Sequence, residues 1–215
     1  MVTLTEDYHA GAAIVSEGNG LISRDRVTVL SGQNLKANAV LGRVYLGAGS
    51  AVAGGGNTGD GAMGAITVGA DAQAGDYILT VTKADTNAGD FQVVDPQGDV
   101  AGVGTVAVAF AGGGLSFTLA DGSADFVVGD AFTITVAAGS GKYVEYDDAG
   151  TDGRQVAAGV LFDAVDATDG DVDGVAIVRS AEVAKDALVW ESGQDAAAKT
   201  AAYADLAILN IIARD

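Results

Sequence analysis

The sequence predicts a mainly β fold: a small β-rich domain with one short C-terminal helix, interrupted by an inserted immunoglobulin-like β-sandwich. Three observations lead there. Short runs of alternating or β-branched apolar residues recur along the chain. Only one segment, near the C-terminus, has the composition of a helix. Two glycine-rich stretches divide the strands into three parts, and neither outer part alone has enough strands for a core.

In chain order, the first part contains the expected strands 27–30 and 40–46. Between Gly47 and Gly64 eight of eighteen residues are glycine, and this stretch reads as a linker. The segment 57–137 then gives seven expected strands, at 65–68, 77–82, 91–94, 106–110, 115–119, 126–128 and 132–136. Phe132, Ile134 and Val136 fall on one face of the last, and Thr133 and Thr135 on the other. Asp95-Pro96-Gln97-Gly98 has the residues of a type I turn. Strands this short, with turns every 8–12 residues, read as an antiparallel sandwich. A second boundary falls near Gly139. Beyond it come expected strands at 143–146, 156–162, 175–179 and 188–190, an alanine-rich helix at 195–206 with Asp195 as N-cap, and a strand at 208–213. Residues 1–56 and 138–215 are therefore expected to form one discontinuous domain, with 57–137 inserted in a loop of it.

Composition limits the function. The 215 residues include 29 acidic and 11 basic side chains, a formal charge of -18, with no Cys and one His. Disulfides and thiolate metal sites are excluded. A surface this acidic repels phosphate backbones, so no direct nucleic-acid partner is expected. No run of about 18 apolar residues and no basic-then-apolar leader appears, so neither a membrane partner nor Sec-type export is expected. Residues 1–56 balance four acidic against four basic residues, while 57–137 carries ten Asp and one Lys and 138–215 fifteen acidic and six basic. The neutral N-terminal part is the expected contact surface, because acidic faces resist close approach.

Motifs for chemistry are weak. Asp169, Asp171 and Asp173 open a D-x-D-x-D-G calcium pattern, yet Ser180 stands where a bidentate Glu is needed and a strand follows. A solvated turn is expected, with these three Asp as a weak calcium candidate. Gly59-x-Gly61-x-x-Gly64 precedes a strand and not a helix, which removes a dinucleotide site. His9 has no evident partner for general-base work, and the pairs Asp147/Asp148 and Asp163/Asp166 lack aromatic sugar platforms. No catalytic residue and no cofactor are expected. Trp190 reads as an anchor of the core or of a subunit interface.

Both outer parts bear a further pattern. Tyr8-His9-Ala10-Gly11, Ile14 through Gly20, Ser23-Arg24-Asp25 and Val40-Leu41-Gly42-Arg43-Val44 occur in that order, followed by Lys142-Tyr143-Val144, Asp152-Gly153, Ala157 through Leu161, Leu188-Val189-Trp190 and the closing helix and strand. Over about 1–50 and 140–215 the chain resembles the tailed-phage, lambda-type head decoration proteins. The resemblance implies a non-enzymatic virion protein, made in the host cytoplasm, that sits as a homotrimer on the outer surface of the expanded capsid. It implies binding to the major capsid protein and stabilisation against internal DNA pressure. It also implies an N-terminal capsid-binding arm, on which Thr3, Leu4, Thr5, Tyr8 and His9 are the candidates. The alternative reading of the residues is an extracellular acidic β adhesion module stabilised by calcium.

Overall fold

The computed structural model describes residues 8–215. Of the described residues, 46% are strand and 10% helix, so the mainly β class holds. The first strands are β1 (Ile14–Glu17), β2 (Arg24–Val29), β3 (Gln33–Leu35) and β4 (Val40–Arg43), with a one-turn helix α1 (Gly20–Ser23) after β1. Then come β5 (Leu46–Ala53), β6 (Thr67–Val68), β7 (Gly75–Asp85), β8 (Ala88–Val94), β9 (Val100–Thr105), β10 (Ala109–Gly112), β11 (Leu115–Thr118) and β12 (Ala131–Ala138). The last are β13 (Tyr143–Glu145), β14 (Ala157–Leu161), β15 (Val165–Ala167), β16 (Val172–Ile177), β17 (Ala181–Ala184), helix α2 (Ala196–Ile208) and β18 (Ile211–Arg214).

The described residues fold as two compact units, one running to Val44 and resuming at Gly141, the other Tyr45–Ser140. The expected strand 40–46 is therefore two strands. Its first half, β4, is in the discontinuous unit, and β5 opens the inserted one.

In the discontinuous unit β13, β2, β16, β14 and β4 close a barrel, accompanied by the sheet β1-β17-β18 and the pair β15-β3. The barrel wall is buried on both faces where it lies under the other elements. Val40, Val160 and Ile177 stand side by side across β4, β14 and β16. They pack outward on Ala202, Leu206, Val183 and Ile211. Their chain neighbours Leu41, Leu161 and Ala176 point into the barrel with Val27, Val29 and Leu35. Successive side chains of a strand face opposite ways, so two cores require near-continuous apolar runs, as Ala157–Leu161 has. Helix α2 buries Ala198, Ala202 and Leu206, a stripe spaced by four residues. Its Asp195 cap accepts from Ala197 and Ala198 N–H at 2.8 and 2.9 Å.

The inserted unit is an antiparallel sandwich with sheet orders β5-β12-β7-β8-β9 and β10-β11-β6. Tyr77, Leu79, Phe91, Val93, Phe110, Phe117, Phe126, Phe132 and Ile134 fill the space between the sheets. Two expectations change here. Phe126 is not in a strand; it plugs the core, edge-on to Phe132 at 5.8 Å. The glycine-rich stretch is not a loose linker. Leu46–Ala53 is strand β5, and the turn after it is tied down by Asp130 and Asn57. The buried Asp130 carboxylate accepts from Thr58 and Gly59 N–H at 2.9 Å and Val127 N–H at 3.0 Å. Asn57 donates to Ala131 O and accepts from Ala131 N–H. A Cβ on Gly61 would stand 2.3 Å from Ala120 O, so glycine serves close backbone packing at that position.

Candidate functional site

The described chain begins at Tyr8, whose hydroxyl donates to Asp186 O at 2.8 Å. A turn follows, closed by Ala12 N–H to His9 O and Ile14 N–H to Gly11 O at 3.0 Å each. Gly11 donates to Phe162 O at 2.7 Å. Its φ of +67° and its approach to the Phe162 ring, where a Cβ would lie 2.6 Å from Cε2, both require glycine. The other side of the clasp is Arg24, whose guanidinium carbon lies 4.0 Å from the centroid of the same ring. Arg24 is paired with Glu17, which also accepts from Ser23 Oγ at 2.7 Å. The hydrogen bonds from Arg24 and Ser23 hold the Glu17 carboxyl below the usual carboxylate range. Ala13 is fully buried and accepts from Ala184 N–H, completing the anchorage. Of the expected arm residues, Tyr8 and His9 thus lie at an anchored root, and Thr3, Leu4 and Thr5 lie outside the described residues.

A second feature lies at one end of the sheet β1-β17-β18. Gly18 N–H bonds to Ser180 O, and Ser180 N–H bonds to Leu209 O, so the segments after β1 and after α2 flank Ser180. Leu21 and Ile22, in α1, are 89% and 54% exposed, and Ile208, the last residue of α2, is 80% exposed. The cations near them are neutralised: Arg179 pairs with Asp25 and donates to Ile22 O at 2.6 Å, and Arg24 holds Glu17. Three large apolar side chains in water, on segments that meet at Ser180 and beside cations already paired, make this a candidate interaction surface. Sequence reasoning missed these three residues. Their signal was an apolar pair, Leu21-Ile22, that belongs to no periodic run.

Trp190 stands in a cluster of rings, edge-on to Tyr146 at 6.1 Å and to Tyr203 at 5.5 Å. Tyr146 is buried and donates to Ala198 O at 3.1 Å. Burial, followed by the charges of Asp148, Asp205 and Asp147, pushes its phenol up. Trp190 therefore packs against the core built on Tyr146, Leu188 and Ala202.

Two of the three aspartates of the calcium pattern, Asp171 and Asp173, are engaged otherwise. Asp173 is in β16, where its carboxylate takes Arg26 and the Thr28 hydroxyl, the latter at 2.9 Å. Asp171 takes Lys142 and, at 3.0 Å, Ser31 N–H. These bonds hold both carboxyls below the usual range. Among the described residues no three His, Cys, Asp or Glu side chains converge to hold a metal ion.

The family model of bacteriophage lambda head decoration protein D matches residues 3–211, nearly the whole chain. The chain belongs to this head decoration family. Its role is that of a structural protein of the phage capsid. A search of curated proteins finds no match. Among solved structures, FlgL of Xanthomonas campestris in two crystal forms is 22% identical over 50% and 51% of this chain, covering 34% and 33% of that one, with TM-score 0.34 in each. The flagellar junction protein FlgL of Legionella pneumophila is 16% identical, covering 48% of this chain and 38% of that one, with TM-score 0.35. The decoration chain thus spans about a third of the length of those structures.

Proposed function

We propose that this decoration protein binds the outer surface of the expanded phage head as a homotrimer and stabilises it against the pressure of packaged DNA. The observation that carries the reading is the family match over residues 3–211. The exposed apolar side chains Leu21, Ile22 and Ile208 support it, because a trimer needs apolar surface left open on each copy. We assign them to the trimer contact. The N-terminal residues, with Thr3, Leu4 and Thr5 beyond the root at Tyr8 and His9, act as the arm that reaches the major capsid protein.

The protein works by binding, without catalysis. A ligand that binds only the expanded lattice stabilises it by mass action, by about 2.7 kcal/mol per site at a free concentration a hundred times Kd. Trimerisation makes three weak arms act as one strong contact.

The test mixes purified protein with expanded heads stripped of decoration. Co-sedimentation and a higher melting temperature of the heads are expected; heads that neither bind the protein nor gain stability overturn the reading. Deleting residues 1–9 should abolish decoration and leave the mass in light scattering unchanged. Leu21→Asp with Ile208→Asp should lower that mass from trimer to monomer; a trimer that survives both changes removes these residues from the contact.

A further inference from the structure

The outer face of the five-stranded sheet in the inserted unit carries one uncharged row across its full width and a second across four of its strands. Register places Val52, Thr133, Ile78, Val94 and Val100 side by side on β5, β12, β7, β8 and β9. The adjoining row runs Ala131, Thr80, Gln92 and Val103. Val52, Ile78, Val100 and Val103 are 70, 42, 58 and 66% exposed, whereas Leu79, Val93, Phe132 and Ile134, next to them in the same strands, are buried. The rows therefore face away from the core.

Carboxylates frame this strip. Asp76, which accepts from Thr135 Oγ1 at 2.6 Å, occupies the next row on one side. Asp90, which accepts from Thr105 Oγ1 at 3.1 Å, occupies the next row on the other, beside Lys83. Asp95 and Asp99 sit in the turn between β8 and β9. Residues 57–137 hold ten Asp against this one Lys, so an uncharged strip inside an acidic frame is a departure from the rest of the unit.

We propose that this face docks another protein through a surface with an apolar centre and a basic rim. Lys and Arg at the rim would meet Asp76, Asp90 and Asp99, while valine-like side chains cover Val52, Ile78, Val100 and Val103. A second copy of this chain does not fit, because the same carboxylates would face each other. The area sets the strength of the contact. Five strands about 4.8 Å apart and two rows about 7 Å apart give roughly 250 Å², against about 800 Å² per partner in a stable pair. One copy binds weakly, and copies arrayed on a head bind together. Only this last step rests on the decoration reading; the site is tested without heads.

The probe is a twelve-residue β-hairpin peptide with an Asn-Gly turn, valines on one face and lysines at both ends, compared with the same peptide carrying glutamates for lysines. Both are titrated into the full chain, and amide shifts are read by NMR. The lysine hairpin should shift amides of the two rows, and added salt should weaken it. Ile78→Lys with Val100→Lys should weaken it by about tenfold or more, as expected for one buried valine-sized side chain. Thr80→Lys repeats the test should Ile78→Lys fail to fold. Equal binding of the glutamate hairpin, shifts elsewhere, or an unchanged affinity in both lysine variants overturns the proposal. So does a mass that rises with concentration and falls again in those variants, because the occupant is then a second copy.

Discussion

Replacing Asp130 by Asn tests why the glycine-rich stretch is ordered. The carboxylate is 3% exposed and receives three backbone N–H groups, Thr58 on Oδ1 and Gly59 with Val127 on Oδ2. An Asn carbonyl in the place of Oδ2 keeps two of them. Its NH2 group then meets the Thr58 N–H, donor against donor, leaving a buried donor unsatisfied. Such a loss costs about 1–3 kcal/mol, and Asp130→Ala, which orphans all three donors, about twice as much. For a unit of this size each kcal/mol moves the melting point by about 4–8 °C, so Asp130→Asn should lower it by roughly 10 °C. The assay is calorimetry of the full chain. Only the transition of the inserted unit should move, since its core is separate from that of the other unit. The pH dependence adds a second check. Burial pushes the Asp130 carboxyl up, but the N–H groups of Gly59, Thr58 and Val127 outweigh it and hold it below its ordinary 3.8. Because the folded pKa is the lower one, the unfolded chain binds the proton first. The stabilisation is full above about pH 4 and is lost as the pH falls through the folded value. The gap between wild type and Asp130→Asn should therefore narrow below pH 4. A variant as stable as wild type at pH 7, or a gap that persists in acid, would refute the reasoning.

Gly11→Ala forces a Cβ into the Phe162 ring at a φ of +67° and should cost about 1–3 kcal/mol in urea unfolding, with faster amide exchange at Gly11 and Ile14. Asp195→Ala removes the acceptor of the Ala197 and Ala198 N–H groups and should cost about 1 kcal/mol, restored by Ser. Burial and then the nearby Glu191 push the Glu145 carboxyl up. Here the folded pKa is the higher one, so the unfolded chain releases its proton first and stability falls as the pH rises through and above 4.5. Glu145→Gln should be at least as stable as wild type at pH 7 in thermal melts, and should lose that pH slope.

Much of the inserted sandwich was legible because its strands alternate strictly. Phe132, Ile134 and Val136 are buried on one face of β12 as the pattern requires. The segments β1, β3, β15 and β17 were not legible, since three or four residues carry too little periodicity to register. Edge strand β9 was missed for another reason. Its Gly102 and Gly104 face inward beneath Phe110 and Phe91, so no apolar side chain marks the buried face. At the candidate site, Tyr8 and His9 were legible only as members of an arm, and the bonds of Tyr8 and Gly11 to Asp186 and Phe162, far away in sequence, were not.

The sequence by itself determined the β class, the long helix with its Asp195 cap and the family. Each is written in local pattern, charge or residue order. Only the tertiary structure decided that the units divide at Val44 and Ser140, and that Asp130 pins a glycine stretch 72 residues away. It alone showed that the segments bearing Leu21, Ile22 and Ile208 meet at Ser180 and that five strands line up Val52 with Val100. The physical reason is that these features rest on register and on hydrogen bonds between distant segments, which no window along the chain contains.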